Sequence, residues 1–264
     1  MSLNRIALIL LFFFSAFCGL SQRVYLNQAF YLTSYNPAFT ASVIDFNRAS
    51  VFYGGNESIG LMANLNIDAL YSGIGIYAER NAQNAYFASV NYAYHTLVSR
   101  ENHHLMGGIS LQIQQIPGLT RLSPRIGILF NHKSTRKLFV GLSAFKGEWR
   151  MLQADSLTYS GWSIQVGSQR LISRRLTLSL LGILEYSKDD PGKEELWSAS
   201  FLPMLWYMNY SAGAGWRTND FVHNELLFRA MFRWKFDVSL TCILEHTDFA
   251  KLIKQPEISL RYLF

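Results

Sequence analysis

The side chains best suited to chemistry are few and scattered. Six histidines, His95, His103, His104, His132, His223 and His246, include no His-Glu-x-x-His pair and no partnering cysteine cluster. The spacing that a zinc site needs is therefore missing, and His103-His104 reads as decoration of a turn. Gly141-Leu142-Ser143-Ala144-Phe145 lacks the second glycine of a nucleophile elbow. Serine, histidine and carboxylate residues without that spacing make no triad. These residues predict no enzyme, with no catalytic, cofactor-binding or metal-binding positions. No phosphate loop is present, and a net charge of +6 is too slight and dispersed to argue for nucleic acid. One charged constellation stands out. From Leu226 the even positions Phe228, Ala230, Phe232, Trp234 and Phe236 are an apolar stripe, which sets Arg229, Arg233 and Lys235 on the opposite face of an extended segment. Either they pair with carboxylates such as Asp237, Glu245 or Glu257, or they form a basic wall.

The elements that would carry these residues follow from composition and period. Of 264 residues, 50% are hydrophobic and 15% aromatic but only 16% charged. That balance excludes a disordered chain. Mean hydropathy is nevertheless only +0.08, and after the first twenty residues no apolar run is long enough for a membrane helix. Arg5, the apolar stretch Ile6 to Phe17 and the small residues Gly19 and Ser21 form a signal peptide, with cleavage placed before Gln22. Phe17 stands before Cys18 where a lipoprotein signal wants a small residue. Removal of 1–21 leaves Cys242 as the only thiol, so no intramolecular disulfide can form.

The remainder alternates with period two. Ile59, Leu61, Ala63, Leu65 and Ile67 oppose Gly60, Asn64, Asn66 and Asp68, and Tyr86, Ala88, Val90, Tyr92 and Tyr94 oppose Ser89, Asn91, Ala93 and His95. Leu105, Ile109, Leu111 and Ile113 oppose Gly108, Ser110, Gln112 and Gln114, and Trp162, Ile164 and Val166 oppose Ser163, Gln165 and Gly167. Each run approaches the roughly nine to eleven residues that a tilted strand needs to cross the hydrocarbon layer. The polar phase is Gly, Ser, Asn and Gln rather than Lys and Glu, as suits a packed lumen more than a face in bulk water. The predicted fold is all-β, a transmembrane outer-membrane antiparallel β-barrel of about 14 strands, with 12 an alternative.

The strands are placed at 48–55, 58–67, 70–80, 84–97, 104–115, 124–132, 137–146, 159–171, 174–186, 196–202, 204–217, 221–234, 236–246 and 257–264. Turn residues such as Gly54-Gly55-Asn56, Pro117-Gly118 and the run from Lys188 to Glu195 separate them. The third strand and the break at Pro203 are the least defined. Residues 22–47 carry no long alternation, and Asn36-Pro37 favours a turn, so this segment is expected as a plug in or under the lumen of a barrel spanning 48–264. Ile258, Leu260, Tyr262 and Phe264 form a final apolar stripe on which the chain stops. It reads as the signal that the barrel assembly machinery recognises, with an aromatic ring at the membrane interface.

A family resemblance emerges from several stretches in order. Gln28-Ala29-Phe30-Tyr31, followed by Asn36-Pro37-Ala38-Phe39 within Tyr35 to Ser42, resembles the opening of the PorP/SprF family of the type IX secretion and gliding system. Asn91 to His95 with the return strand Leu105 to Ile113, Phe139 to Ser143, and Pro256 to Tyr262 look like further strands of that family. Thr40-Ala41 departs from its usual Ala-Gly, and this chain is shorter than most members. The resemblance implies an integral outer-membrane protein of Bacteroidota type. Its expected partners are outer-membrane lipid, type IX secretion components and a cargo protein bearing a C-terminal domain, which it helps to export or attach at the cell surface. Residues alone support a barrel of unknown cargo, with a passive pore or small-solute transporter as the alternative. In either barrel the basic wall of Arg229, Arg233 and Lys235 would face the lumen, to contact an acidic cargo tail or to select anions.

The terminal stripe generates a direct test. Deleting Phe264, or combining Tyr262→Ser with Phe264→Ser, should strand the protein in the periplasm and expose it to degradation. Wild-type amounts of heat-modifiable protein in the outer membrane would contradict this.

Overall fold

Polar backbone cannot be left open in hydrocarbon, so an all-strand chain that crosses a membrane must close on itself. The computed structural model describes residues 36–40, 48–54, 58–67, 70–80, 85–99, 103–116, 119–133, 136–151, 154–173, 175–189, 195–219, 223–233, 236–245 and 254–263. The signal-peptide expectation, 1–21, lies outside them. The strands are β1 (Arg48–Gly54), β2 (Ser58–Ile67), β3 (Ser72–Arg80), β4 (Tyr86–Ser99), β5 (His103–Ile116), β6 (Leu119–Lys133) and β7 (Arg136–Met151). They continue as β8 (Ala154–Ser173), β9 (Leu176–Asp189), β10 (Glu195–Tyr207), β11 (Tyr210–Asn219), β12 (His223–Arg233), β13 (Phe236–Glu245) and β14 (Lys254–Leu263).

All fourteen form one closed antiparallel barrel in which each strand pairs with its sequence neighbours and β14 returns to β1. The closing seam runs from Arg48 opposite Leu263 to Gly54 opposite Glu257. Both ends of the barrel chain therefore lie at one rim. At that rim two to four residues separate consecutive strands, against two to eight at the other. Short periplasmic turns and longer outer loops are the habit of such barrels, which sets the terminal rim toward the periplasm.

The two phases of the alternation divide between lipid and lumen as expected. Leu61, Leu65, Val90, Tyr92, Ile109, Leu111, Val166, Phe228, Ile258, Leu260 and Tyr262 are exposed on the outside, while Asn64, Ser89, Asn91, Ser110, Gln112, Ser163, Gln165 and Arg229 are buried. Rings gather near both rims. Trp162, Tyr186 and Trp197 lie in register across β8, β9 and β10, with Tyr186 and Trp197 centroids 4.7 Å apart. Near the periplasmic rim Tyr210 meets Phe232 at 5.0 Å. Amphipathic rings are favoured at such interfaces.

Three strand expectations need correction. The break expected at Pro203 does not exist, because β10 runs through it and the chain reverses at Met208-Asn209, where Met208 takes a left-handed φ of 53°. Pro203 keeps its register opposite Leu180 of β9. Toward β11 the pairing skips from Phe201–Trp216 to Met204–Gly213, as the missing N–H requires. The same holds at Pro124, expected as a strand start but found inside β6. It stands opposite Leu111 of β5, while the ladder to β7 passes from Leu122 to Arg125. Finally, most of 147–158, expected as a connection, is strand. β7 and β8 reach 16 and 20 residues, up to about twice the length that the hydrocarbon demands, so their tips stand beyond it.

Inside, cross-strand glycines receive aromatic rings. Phe52 lies opposite Gly60, Phe139 opposite Gly167 and Phe145 opposite Gly161. A Cβ at any of these glycines would strike the ring facing it. Gly161→Val, which also meets the Tyr186 carbonyl oxygen, should cost about 1–3 kcal/mol as an overpacked site. Gly182→Ala, whose nearest neighbour would be 3.9 Å away, should cost far less. Thermal midpoints of the heat-modifiable form check the contrast, and equal midpoints would refute it.

Candidate functional site: the stoppered lumen

Inside the barrel the chain's own Asn36–Thr40 lies against the lumen wall, on the side formed by β2 to β8. Pro37–Thr40 is a 3-10 turn with every residue buried, closed by the Phe39 N–H donating to the Asn36 carbonyl oxygen at 3.1 Å. Proline opens it because its fixed φ suits a helical first position and its missing N–H would have no partner there. Residues 22–35 and 41–47 of the expected plug segment lie outside the described residues.

Asn36 is fully buried and holds the turn to three strands. Its Nδ2 donates to the Ile128 carbonyl oxygen of β6 at 3.0 Å, to the Leu142 carbonyl oxygen of β7 at 3.2 Å and to Gln165 Oε1 of β8 at 3.0 Å. Its Oδ1 accepts from the Ala38 N–H at 3.0 Å. Only an amide offers both donor and acceptor in this way, and each carbonyl has a second lone pair to give. The chain of bonds continues along the wall. Gln165 Nε2 donates to Ser163 Oγ at 2.6 Å, and the Ser163 and Ser143 hydroxyls hydrogen-bond to each other at 2.7 Å.

A glycine cradle makes room for this turn. A Cβ on Gly108 would collide with the backbone of Pro37 and Ala38, and one on Gly127 with the Asn36 side chain. Gly141 sits 2.9 Å from Asn36 Nδ2 by the same measure and Gly75 3.1 Å from Thr40 Cγ2. These positions belong to β5, β6, β7 and β3, and close backbone approach is what glycine within a strand permits. Below the turn, toward the periplasm, Phe39 packs with Met106, Leu129 and Phe139. The Phe39 and Phe139 rings meet edge to face at 5.2 Å.

A second apolar cluster stands elsewhere in the bore. Phe52, Met62 and Tyr77 of β1, β2 and β3 cluster with Leu202 and Met204 of β10 and Met231 of β12. Those strands are not neighbours in the closed order, so the packing crosses the lumen. Toward the outer rim the contents turn charged. Arg125 Nη2 of β6 lies 3.8 Å from Glu185 Oε1 of β9, and Arg217 Nη1 of β11 lies 3.9 Å from Glu225 Oε2 of β12. The Arg125 guanidinium stacks 4.4 Å above the Phe145 ring. Outside the membrane, Lys188 donates to Glu195 at 3.1 Å. That hydrogen bond and the attraction behind it hold the Glu195 carboxyl below, and the Lys188 ammonium above, their ordinary values.

Of the expected basic wall, Arg229 is buried on the lumen side. Arg233 ends β12 opposite Asp237 in register, but its side chain, those of Asp237, Glu245 and Glu257, and all of Trp234, Lys235 and Phe264 lie outside what is described. Among the described residues further lumen charge comes from Arg121, Arg125, Glu185, Arg217 and Glu225, none of which sequence reasoning singled out. A signal existed, since Arg125 falls two residues from Ser123 and Gly127, and Arg217 two from Gly215, on the polar phase. Among the described residues no group of three or more His, Cys, Asp or Glu side chains could hold a metal ion.

If Asn36 is the latch, cutting it should loosen the stopper. With Cys242→Ser removing the native thiol, Thr40→Cys, buried beside Gly75, reports access to the lumen. Asn36→Ala removes bonds worth together about 2–3 kcal/mol. Maleimide labelling of the Thr40→Cys thiol should then accelerate about 30- to 100-fold, and an unchanged rate would contradict the latch.

No protein-family model and no curated protein matches the chain. Among solved structures, the outer membrane protein Omp33 of Acinetobacter baumannii superposes with a TM-score of 0.52 at 8% identity, over 83% of this chain and 97% of that one. A FadL homologue of Pseudomonas aeruginosa gives 0.52 at 9% identity, over 87% and 92%. At such identities the likeness is one of fold. The chain is an integral outer-membrane β-barrel with fourteen antiparallel strands.

Proposed function

We propose that the protein is an outer-membrane transporter of small solutes whose bore is closed at rest by its own Asn36–Thr40 turn. The observation that carries this reading is the way the turn is held. One neutral side chain, Asn36, makes the bonds that tie the turn to three separate strands, and no described ion pair or covalent link fastens it. Such a contact can be given up and remade. The wall behind it, rich in Ser, Asn, Gln and Arg, suits the passage of polar solutes once the turn leaves. A lumen a few side chains wide limits the cargo to small molecules. The fold shared with Omp33 and the FadL homologue agrees with an outer-membrane role.

A second reading is favoured by a different observation. The stretches that resemble the PorP/SprF family converge in space: Asn36 to Phe39 sits against Gly108 of the Leu105 to Ile113 strand and against Phe139 and Gly141 of the Phe139 to Ser143 strand. A permanently stoppered barrel would then serve type IX secretion in a Bacteroidota-type outer membrane, binding cargo at its rim rather than passing solutes.

Planar bilayers and a deletion strain separate the two. Full-length wild-type protein should be nearly silent, while full-length Asn36→Ala/Phe39→Ala protein should show stepwise conductance and swell liposomes in a small sugar. Silence of that folded variant, together with loss of one or a few surface proteins from the deletion strain, would overturn the transporter in favour of the secretion partner.

A further inference from the structure

The outer half of the lumen holds a concentration of guanidinium groups that the stopper does not use. Arg121 and Arg125 come from β6 and Arg217 from β11, and the Arg125 and Arg217 side chains are buried. The facing carboxylates are Glu185 of β9 and Glu225 of β12. Glu185 lies in the field of all three arginines at once, Arg125, Arg217 and Arg121, which reach it from strands not adjacent in the barrel.

The Arg125–Glu185 and Arg217–Glu225 pairs are loose in geometry. Separations of 3.8 and 3.9 Å exceed those of charge-assisted hydrogen bonds, which run near 2.7–2.9 Å. Arginine's planar fork matches a carboxylate or phosphate on two parallel bonds, and rings of such residues set the preference of anion pores. Glu185 thus occupies, as a tethered carboxylate, the place where a second oxyanion would be recognised.

We propose that this cluster is an anion-recognition collar, and that the solutes handled by the barrel are small molecules bearing a carboxylate or phosphate group. The proposal rests on the transporter reading and names its substrate class. An anion entering from outside meets the collar before the stopper and exchanges its water for guanidinium donors. Arg125, backed by the Phe145 ring, is held in place for that contact.

Reversal potentials in a potassium chloride gradient test the collar with the full-length Asn36→Ala/Phe39→Ala protein. Chloride should be preferred over potassium by about 3-fold or more. Adding Arg121→Gln and Arg125→Gln should bring the ratio to near one or below, and adding Glu185→Gln instead should raise it. Should the double arginine variant fail to assemble, the Glu185→Gln arm still decides. A cation preference with all arginines present, or no change on Glu185→Gln, overturns the collar while leaving a conducting barrel. Absence of any conductance from the folded stopper variant overturns the transporter reading on which it depends.

Discussion

The hydrocarbon layer offers a backbone N–H or C=O no partner, and an unpaired group there costs several kcal/mol. Closure of the β1–β14 seam answers that constraint, and much else follows from it. A closed ladder fixes register all round, so every strand must present one phase to lipid and the other to the lumen. Proline can enter only where the barrel tolerates a missing donor. Pro124 and Pro203 each keep their ladder on one side and leave a gap on the other.

Closure also creates the problem of the interior. A fourteen-strand bore is wide enough to hold more than its own side chains, and this one is occupied in layers. Apolar contact crosses between β1–β3 and β10–β12, the Asn36–Thr40 turn lies against the wall of β2 to β8, and charged groups stand in the outer half. Glycine appears where the turn comes close, because at Gly108 and Gly127 a methyl group would strike the backbone or the Asn36 side chain. Turn and wall are therefore one packing unit, and the hydrogen bonds described between them are neutral.

That combination keeps the fastening of the turn apart from the charges of the lumen. Hydrogen bonds to carbonyls and one glutamine hold the turn to the wall without burying an unpaired charge, which would be costly. The charges stand nearer the outside, where water reaches the rim and long-range attraction can act on an arriving solute.

The strand phase, the class of fold and the polar nature of the lumen were legible in the chain itself, because alternation is a local property of consecutive side chains. Leu61 to Ile67, Tyr86 to Tyr94 and Ile258 to Tyr262 announce lipid-facing stripes before any partner strand is known. Asn36-Pro37 likewise announces a turn. Strand ends were less legible where a proline sits inside a strand, since its tolerance depends on which neighbour needs the donor. What only the tertiary structure decided is which distant residues meet. That Asn36 binds Ile128, Leu142 and Gln165, or that Arg125 faces Glu185 across three strands, depends on barrel stagger and curvature. No local pattern encodes these, because period two tells a side chain which face to take but not which wall it will find opposite.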